Sequence, residues 1–481
     1  MRSFTLSHFF TMCKPGTFSR VIAGQRIEHF TPNPYTVFMI VMKFGGSSVA
    51  DADRIRHIAE IVKARLDRKP ILVLSAMGDT TDNLLEAGDT ALNTGVVQIE
   101  KIEELHLATA TDLRLRDDAL KDIHLLLEEL RNLLMGISLI RELTGKTKDY
   151  LVSFGERLSV RIAAAYFITL GVNARAVDAW DAGFLTDSNY THAELKAESW
   201  KLIPEKLCPP AEEGVLQIVT GFLAKNESGN ITTLGRGGSD LSVTMIGAAC
   251  NVEEVQVWKD VDGILTADPR IVKNARPVET ISYEAASELA YFGAQVLHPR
   301  AMQPCIKAGT PVVVKNSYNP EAKGTRIVPS ITGKINAIQA ITFRKNITLV
   351  DIVSSRMLGQ FGFLAEIFSY FAKHGISVDM VATSEVSISV TMDTCYDLGS
   401  LKEDLSQFAS VEIKTGRAIA TIIADVRRSS EILTRSFRTC ELLGVPVQMV
   451  SQGASKVNIS FIVDDQEAPE VVKALHVDFF E

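Results

Sequence analysis

From about residue 38 onward the chain alternates continuous apolar runs with amphipathic stretches. FMIVMKF (38–44) has the character of a strand buried on both faces, broken only by Lys43 and followed by Gly45-Gly46-Ser47-Ser48. In VADADRIRHIAEIVKARL (49–66), Ile55, Ile58, Ala59, Val62 and Leu66 fall on one stripe at helical spacing. Ser48 and Asp51 have the spacing of a capping box at the start of that helix. KPILVLSAM (69–77), VLQIVTGFLA (215–224), VEEVQVWKDVDGI (252–264) and TPVVVKN (310–316) supply further strands. Helical patterns fill the gaps, including a leucine-rich stretch over about 98–143. Strands alternating with helices predict an α/β fold, a mostly parallel sheet sandwiched by helices.

The C-terminal third changes pattern. HGISVDMVATSEVSISVTMD (374–393) and LGVPVQMVSQGASKVNISFIVDD (443–465) are imperfect copies, with Gly375 matching Gly444 and Val386 matching Val457. An amphipathic helix precedes each copy. Phe361, Leu364, Ala365, Phe368, Phe371 and Ala372 form the stripe in the first, and Leu433, Phe437 and Cys440 in the second. Each copy ends in strict alternation, Val386-Ile388-Val390-Met392 and Val457-Ile459-Phe461-Val463. Two small ferredoxin-like β-α-β-β-α-β units fit this pattern.

Composition narrows the class. The 481 residues allow two or three domains, and the net charge of −8 argues against a broad nucleic-acid surface. The six cysteines lie far apart without a CxxC pair, which favours reduced thiols and offers no metal site. No apolar run is long enough to span a membrane. Residues 1–38 hold Arg2, Lys14, Arg20 and Arg26 against the single acid Glu28. An upstream start, with Met39 as the working start of a cytoplasmic protein, is the simpler reading; an organelle-targeting segment is the alternative.

Chemistry concentrates in two glycine-rich loops where strands meet helices, the usual place for function in such sheets. KFGGSS (43–48) carries Lys43, and TTLGRGGSD (232–240) carries Arg236 and Asp240. Backbone N–H groups in such loops approach anion oxygens, and a following helix N-terminus adds positive partial charge. TTLGRGGSD fits neither the Walker nor the dinucleotide pattern, since no Lys follows its glycines and Asp240 stands where the third glycine should be. TGKTKD (144–149) lacks the first Walker glycine and reads as a helix end. DVDGILTADPR (260–270) lacks the acid that closes a calcium loop, Ile271 standing in its place.

KFGGSSVAD, SFGERLS (153–159), TTLGRGGSD, WKDVDGILTADPR (258–270) and FGAQVLHPRAM (292–302), in that order, resemble the aspartate kinases of the amino-acid-kinase superfamily. The resemblance runs from about residue 40 to the C-terminus. It implies phosphorylation of the L-aspartate side chain by MgATP, the first step towards lysine, threonine and methionine. It also implies an extension at 1–38, a catalytic domain at 39–330 and tandem ACT regulatory domains at 331–481. INAIQAITFRK (335–345) is expected to complete the second regulatory unit, interleaving the two.

The residues suit that chemistry on their own terms. A carboxylate nucleophile is already ionised at neutral pH and needs no general base, whereas phosphoryl transfer needs charge neutralisation and alignment. Lys43 is the candidate to bridge the transferring phosphate, with Gly45, Gly46 and Ser47 holding its oxygens. Asp240 resembles the family acid that orders Lys43. Arg236 offers a fork for a substrate carboxylate and Glu156 a partner for its ammonium. Gly237, Ser239 and Thr81 complete the aspartate site, with Thr80 an alternative to Thr81. Lys259, Asp260 and Arg270 are the resemblance's ATP contacts; Leu265 and Gln295 depart from some members. His298, beside Pro299, reads as a structural helix start. With no acidic cage evident, Mg2+ enters with the ATP phosphates.

In the regulatory half the resemblance points to lysine-sensitive members. Met357, Leu358, Gly362, Phe363, Leu364, Ser377, Val378, Asp379, Ser384 and Glu385 are expected to line an L-lysine pocket in a homodimer joined through the ACT domains. Asp379 or Glu385 would pair with the effector's ammonium groups. Another kinase of the superfamily would lack the tandem repeat and the 98–143 insertion. A non-catalytic sensor would have no use for Lys43, Glu156, Arg236 and Asp240 together, and a fused homoserine dehydrogenase would need a dinucleotide-binding domain.

Overall fold

A computed structural model describes residues 39–208, 214–293, 297–331, 338–424, 426–452 and 458–481. The catalytic half opens with β1 (Ile40–Phe44), α1 (Ala52–Lys63), β2 (Ile71–Leu74), α2 (Thr80–Thr94), α3 (Glu100–Asp112), α4 (Asp117–Ile140) and α5 (Gly145–Thr169). It continues with β3 (Ala174–Val177), β4 (Leu185–Thr186), α6 (Ser199–Leu207), β5 (Leu216–Thr220), β6 (Leu223–Asn226), β7 (Ile231–Thr233) and α7 (Gly238–Ala249). It ends with β8 (Glu254–Lys259), β9 (Thr280–Ser282), α8 (Tyr283–Tyr291), α9 (Pro299–Ala308), β10 (Val312–Asn316) and β11 (Thr325–Val328).

Eight of these strands form one sheet in the order β3-β5-β2-β1-β8-β10-β11-β9. It is parallel from β3 to β10, and β11 turns antiparallel to β10. The two-residue period of β1 divides its side chains between two cores. Ile40, Met42 and Phe44 join the core under α1–α5, while Val41 faces the core under α6–α9. Lys43 therefore shares the face of Val41, on the side where α7 packs. A small second sheet, β4-β6-β7, sits beside the first.

Several local expectations shift. Asp51, not Ser48, caps α1, accepting from Arg54 N at 2.9 Å, while Ser48 Oγ meets Ser317 Oγ at 2.9 Å. Leu66 leaves the apolar stripe because α1 ends before it. The 98–143 stretch is two helices separated at Arg114, whose φ is +53°. VLQIVTGFLA is two strands in different sheets, because the chain turns at Phe222 with φ +65°. TGKTKD is a helix start rather than an end, since Thr144 Oγ1 accepts from Thr147 N and opens α5.

The regulatory half comprises β12 (Ile338–Val353), α10 (Phe363–Lys373), β13 (Val381–Thr383), β14 (Ser387–Asp393) and α11 (Gly399–Ser406). It continues with β15 (Ser410–Ala424), α12 (Ser429–Leu443), β16 (Met449–Ser451), β17 (Asn458–Asp464) and α13 (Ala468–Phe480). One antiparallel sheet runs β13-β14-β12-β15-β17-β16. The start of β12 pairs with the end of β15, which in turn pairs with β17; the later half of β12 pairs with β14. The early part of β12 thus lies among the strands of the second copy.

The buried stripes of both regulatory helices differ from the expected ones. Phe363, Ile367 and Phe371 face inward on α10, leaving Leu364, Ala365 and Ala372 exposed and Phe361 fully in solvent. Ile432, Ser436 and Cys440 face inward on α12, with Leu433 half-buried and Phe437 exposed. Val386 precedes β14 and is exposed, whereas Ile388, Val390 and Met392 are buried. Val457 lies outside the described residues.

The seat of α7 depends on one small residue. A Cβ on Gly247 would stand 2.1 Å from Val255 Cγ2 of β8. Gly247→Ala should therefore destabilise the fold by about 1–3 kcal/mol in denaturant unfolding. An unchanged midpoint would show that α7 can lift off β8 at no cost.

Candidate active site

The site forms where β1 and β8 end and α7 begins. After β1 the chain is extended at Gly45 and makes a 3-10 turn over Gly46–Val49. A Cβ on Gly46 would meet Ala76 O at 2.9 Å and Gly78 O at 3.1 Å, so this loop can sit against 76–78 only without a side chain. Opposite, Gly237 adopts φ +73° as the N-cap of α7, and a Cβ there would lie 2.9 Å from His298 Cβ. Ser239 and Asp240 follow in the first turn, where the helix N-terminus favours negative charge.

Asp240 collects the cations. Its Oδ1 lies 2.8 Å from Lys43 Nζ and its Oδ2 4.0 Å from Lys259 Nζ. Burial alone would raise its pKa, but the charges of Lys43 and Lys259 outweigh that and hold it below the ordinary carboxylate value. Burial lowers the pKa of Lys259, Asp240 works against that, and the like charge of Lys43 adds to it. Ser317 links the strand ends: its Oγ donates to Lys259 O at 2.9 Å as well as meeting Ser48.

Glu156 contrasts with Asp240. It lies on α5, buried, where a Cβ on Gly155 would approach Ala76 Cβ to 2.7 Å, so the helix can press onto the loop after β2. Its Oε1 accepts from Ala76 N at 3.1 Å, and its Oε2 has no hydrogen-bond partner among the described residues. Burial pushes its pKa up to about 8, against the Ala76 N–H and the Lys43 charge. A buried carboxylate with one oxygen unanswered is suited to a cationic ligand group.

The remaining predicted residues divide. Arg236 is exposed and makes no side-chain hydrogen bond or ion pair among the described residues. Thr80 spends its hydroxyl on Met77 O at 2.5 Å, while Thr81 stands half-buried in the first turn of α2. Ser47 and Asp260 are exposed at the loop ends. Arg270 is not brought to Lys43: it faces solvent, paired with Asp268 at 2.7 Å. Its segment also touches the regulatory half, where Thr266 O accepts from Ile341 N of β12 at 2.8 Å and Thr266 Oγ1 meets His476 of α13 at 2.9 Å. Leu265 bridges to Pro277, and Gln295 lies outside the described residues. His298 caps α9 through Arg300 N.

Among the regulatory candidates, Gly362 caps α10 at φ +83°, Phe363 is buried, and Met357 and Val378 are half-buried. Leu358, Leu364, Ser377, Ser384 and Glu385 are exposed. Asp379 is already engaged, accepting from Tyr291 Oη of α8 at 2.6 Å with Arg344 Nη1 at 3.4 Å. It borders a cleft of about 470 Å³ between α8 and the regulatory sheet. Sequence reasoning missed Tyr291, Asp149 and Arg300, whose partners are distant in the chain.

The model of the amino acid kinase family matches residues 38–316, and an ACT domain model matches 350–396 and 419–479. The chain is 49% identical to "Aspartokinase 1, chloroplastic" of Arabidopsis thaliana over 478 residues, 96% of this chain and 84% of that one. The structure matches E. coli aspartokinase III in complex with aspartate and ADP at TM-score 0.78 and 33% identity, covering 92% of this chain and all of that one. The same enzyme in complex with lysine and aspartate matches at TM-score 0.75 and 34% identity, with the same coverage. The chain belongs to the aspartokinases of the amino acid kinase family, an enzyme class that phosphorylates aspartate.

The raised pKa of Glu156 has a consequence for stability. Its folded value, about 8, exceeds the ordinary 4.5, so the folded state holds a proton the unfolded chain gives up. That contribution is present below the unfolded value and lost as pH rises through the folded one. Without aspartate, wild-type stability should fall from about pH 5 to about pH 8 relative to Glu156→Gln in urea unfolding. Parallel curves would mean that Glu156 is ionised throughout.

Proposed function

We propose that Lys43 and the Gly45-Gly46 amides clamp the transferring phosphate of MgATP while Arg236 and Glu156 hold L-aspartate for in-line attack by its side-chain carboxylate. The observation that carries this reading is the buried Lys43–Asp240–Lys259 cluster at the mouth of two glycine loops. Two anions must meet there, and positive charge held in a water-poor site lowers the cost of their approach. The unanswered Glu156 oxygen supports an ammonium contact, and the open Arg236 fork a carboxylate contact. In this reading Ser239, Gly237 and Thr81 complete the aspartate contacts, Lys259 and Asp260 serve the nucleotide, and Mg2+ arrives on its phosphates. Arg270 is the weakest of the nucleotide candidates, given its pairing with Asp268.

L-lysine is the effector this reading assigns to the regulatory half, supported by the lysine complex of the E. coli relative. A second copy of the chain is the partner proposed for the exposed apolar residues Leu358, Phe361, Leu364, Val381 and Val386 of the regulatory half. Hydroxylamine trapping should yield acyl phosphate from L-aspartate and MgATP, less of it with millimolar L-lysine, and none with Lys43→Ala. Product from Lys43→Ala would remove that residue from the clamp, and indifference to lysine would pass the effector role to another amino acid. Phe361→Asp should lose the dimer mass in light scattering; an unchanged mass would place the interface elsewhere.

For residues 1–38, the chloroplastic names of three plant relatives and the local excess of basic residues favour a targeting leader over the upstream start. Fused to a fluorescent protein in plant cells, they should direct it to plastids. Diffuse cytosolic signal would restore the simpler reading.

A further inference from the structure

TGKTKD carries the residue on which the substrate loop hangs. Asp149 lies seven positions before Glu156 on α5, two turns away on the same side of the helix, and its side chain is buried. Both of its oxygens accept from Thr191 N, at 3.1 and 2.9 Å. It also accepts from Thr233 N at 3.1 Å and from Thr233 Oγ1 at 2.8 Å. Thr233 is the second residue of TTLGRGGSD, three positions before Arg236.

Thr191 is itself unusual. Its φ is +71°, a conformation that β-branched residues rarely adopt and that persists only where surrounding bonds impose it. The bent segment packs against the loop: a Cβ on Gly235 would lie 3.0 Å from His192 Cδ2 and 3.2 Å from Thr191 O. Arg300 of α9 grips the same two segments from the other side. Its Nη1 donates to Leu234 O at 3.2 Å and its Nη2 to Ala193 O at 3.1 Å. Ala193 N donates to Thr233 O at 2.9 Å between them.

We propose that Asp149 and Arg300 are positioning residues for L-aspartate: together they clamp residues 191–193 onto Thr233–Leu234 and so set the place of Arg236 relative to Glu156. The acid supplies acceptors for N–H groups and the base supplies donors for carbonyls, so each side of the clamp satisfies backbone that burial would otherwise leave unpaired. Glu156 and the Asp149 half of the clamp share one helix, α5, which ties the two ends of the substrate site together, while Arg300 secures the same loop from α9. The assignment rests on the reading that Arg236 and Glu156 hold aspartate.

The test is steady-state kinetics of the full chain by acyl-phosphate trapping, with Arg236→Ala as reference. Asp149→Asn keeps the shape but turns one acceptor into a donor facing N–H groups. It should raise the aspartate KM about ten-fold or more while the ATP KM stays within about two-fold. Arg236→Ala should show the same selectivity. If Arg236→Ala moves aspartate KM and Asp149→Asn does not, the clamp proposal falls and the site reading stands. If Arg236→Ala leaves aspartate KM alone, the site reading falls and takes the clamp with it. A loss spread equally over both substrates, alongside a lower unfolding midpoint, would make Asp149 a scaffold residue and overturn the proposal. Should Asp149→Asn not fold, Thr233→Val removes a single donor; its aspartate KM should rise about three-fold, and no rise overturns the proposal.

Discussion

Asp240 is the pivot of the structure. Two ammonium groups in a largely buried site repel each other, and each loses hydration there. They are held together because a carboxylate at the N-terminus of α7 lies between them. Removing either side of the Lys43–Asp240 pair would strand the other, a loss of about 3–5 kcal/mol for a buried pair. The seating of α7 on β8, the left-handed cap at Gly237 and the clamp from α5 and α9 all serve to place this carboxylate and the loop before it.

The two carboxylates of the site are separated by environment alone. Asp240 sees two cations and its pKa is held low; Glu156 is buried, and desolvation outweighs its backbone N–H bonds and the Lys43 charge, so its acid form is favoured. Such a division suits a binding reaction in which the substrate brings its own positive charge. On the proposed reading, the cost of burying Glu156 would be offset by the arriving substrate ammonium, tying affinity to that group's presence. A ligand lacking the ammonium would leave the desolvated carboxyl unanswered.

Much of this was legible in the sequence, for identifiable reasons. β1, β2, β8 and β10 announce themselves because strands buried on both faces read as apolar runs, and Lys43 stands out by interrupting one. The glycine loops are visible because no other residue could follow those backbones so closely. The regulatory helices were placed correctly, but their buried faces only in part: Phe371 and Cys440 are buried as expected, whereas Leu364, Ala365, Ala372 and Phe437 are exposed. On α10 the inward line is Phe363-Ile367-Phe371, and the apolar residues beside it belong to an outer face that the sequence cannot distinguish. Asp149 was hidden for a different reason. Its partners are backbone N–H groups some 42 and 84 positions away, and such bonds leave no trace in local pattern. TGKTKD also offered a false lead, its turn residues being equally compatible with either end of a helix. Arg270 pairs with Asp268, and the motif containing it also touches β12 and α13 through Thr266, contacts that no local pattern announces.

The long strands β12 and β15 bear on how the regulatory half folds and fails. Each runs through both copies, so neither copy has a complete set of strands drawn from its own stretch of chain. The earliest residues of this half must wait for the latest to be synthesised before they find their neighbours, a non-local closure of the kind that slows folding. A chain cut between the copies would expose β12 and β15 as bare hydrogen-bonding edges, open to pairing with other molecules. The regulatory half is thus indivisible: the copies can diverge in sequence, as Asp379 and Gln448 have at matching positions, but neither can be lost without unmaking the other.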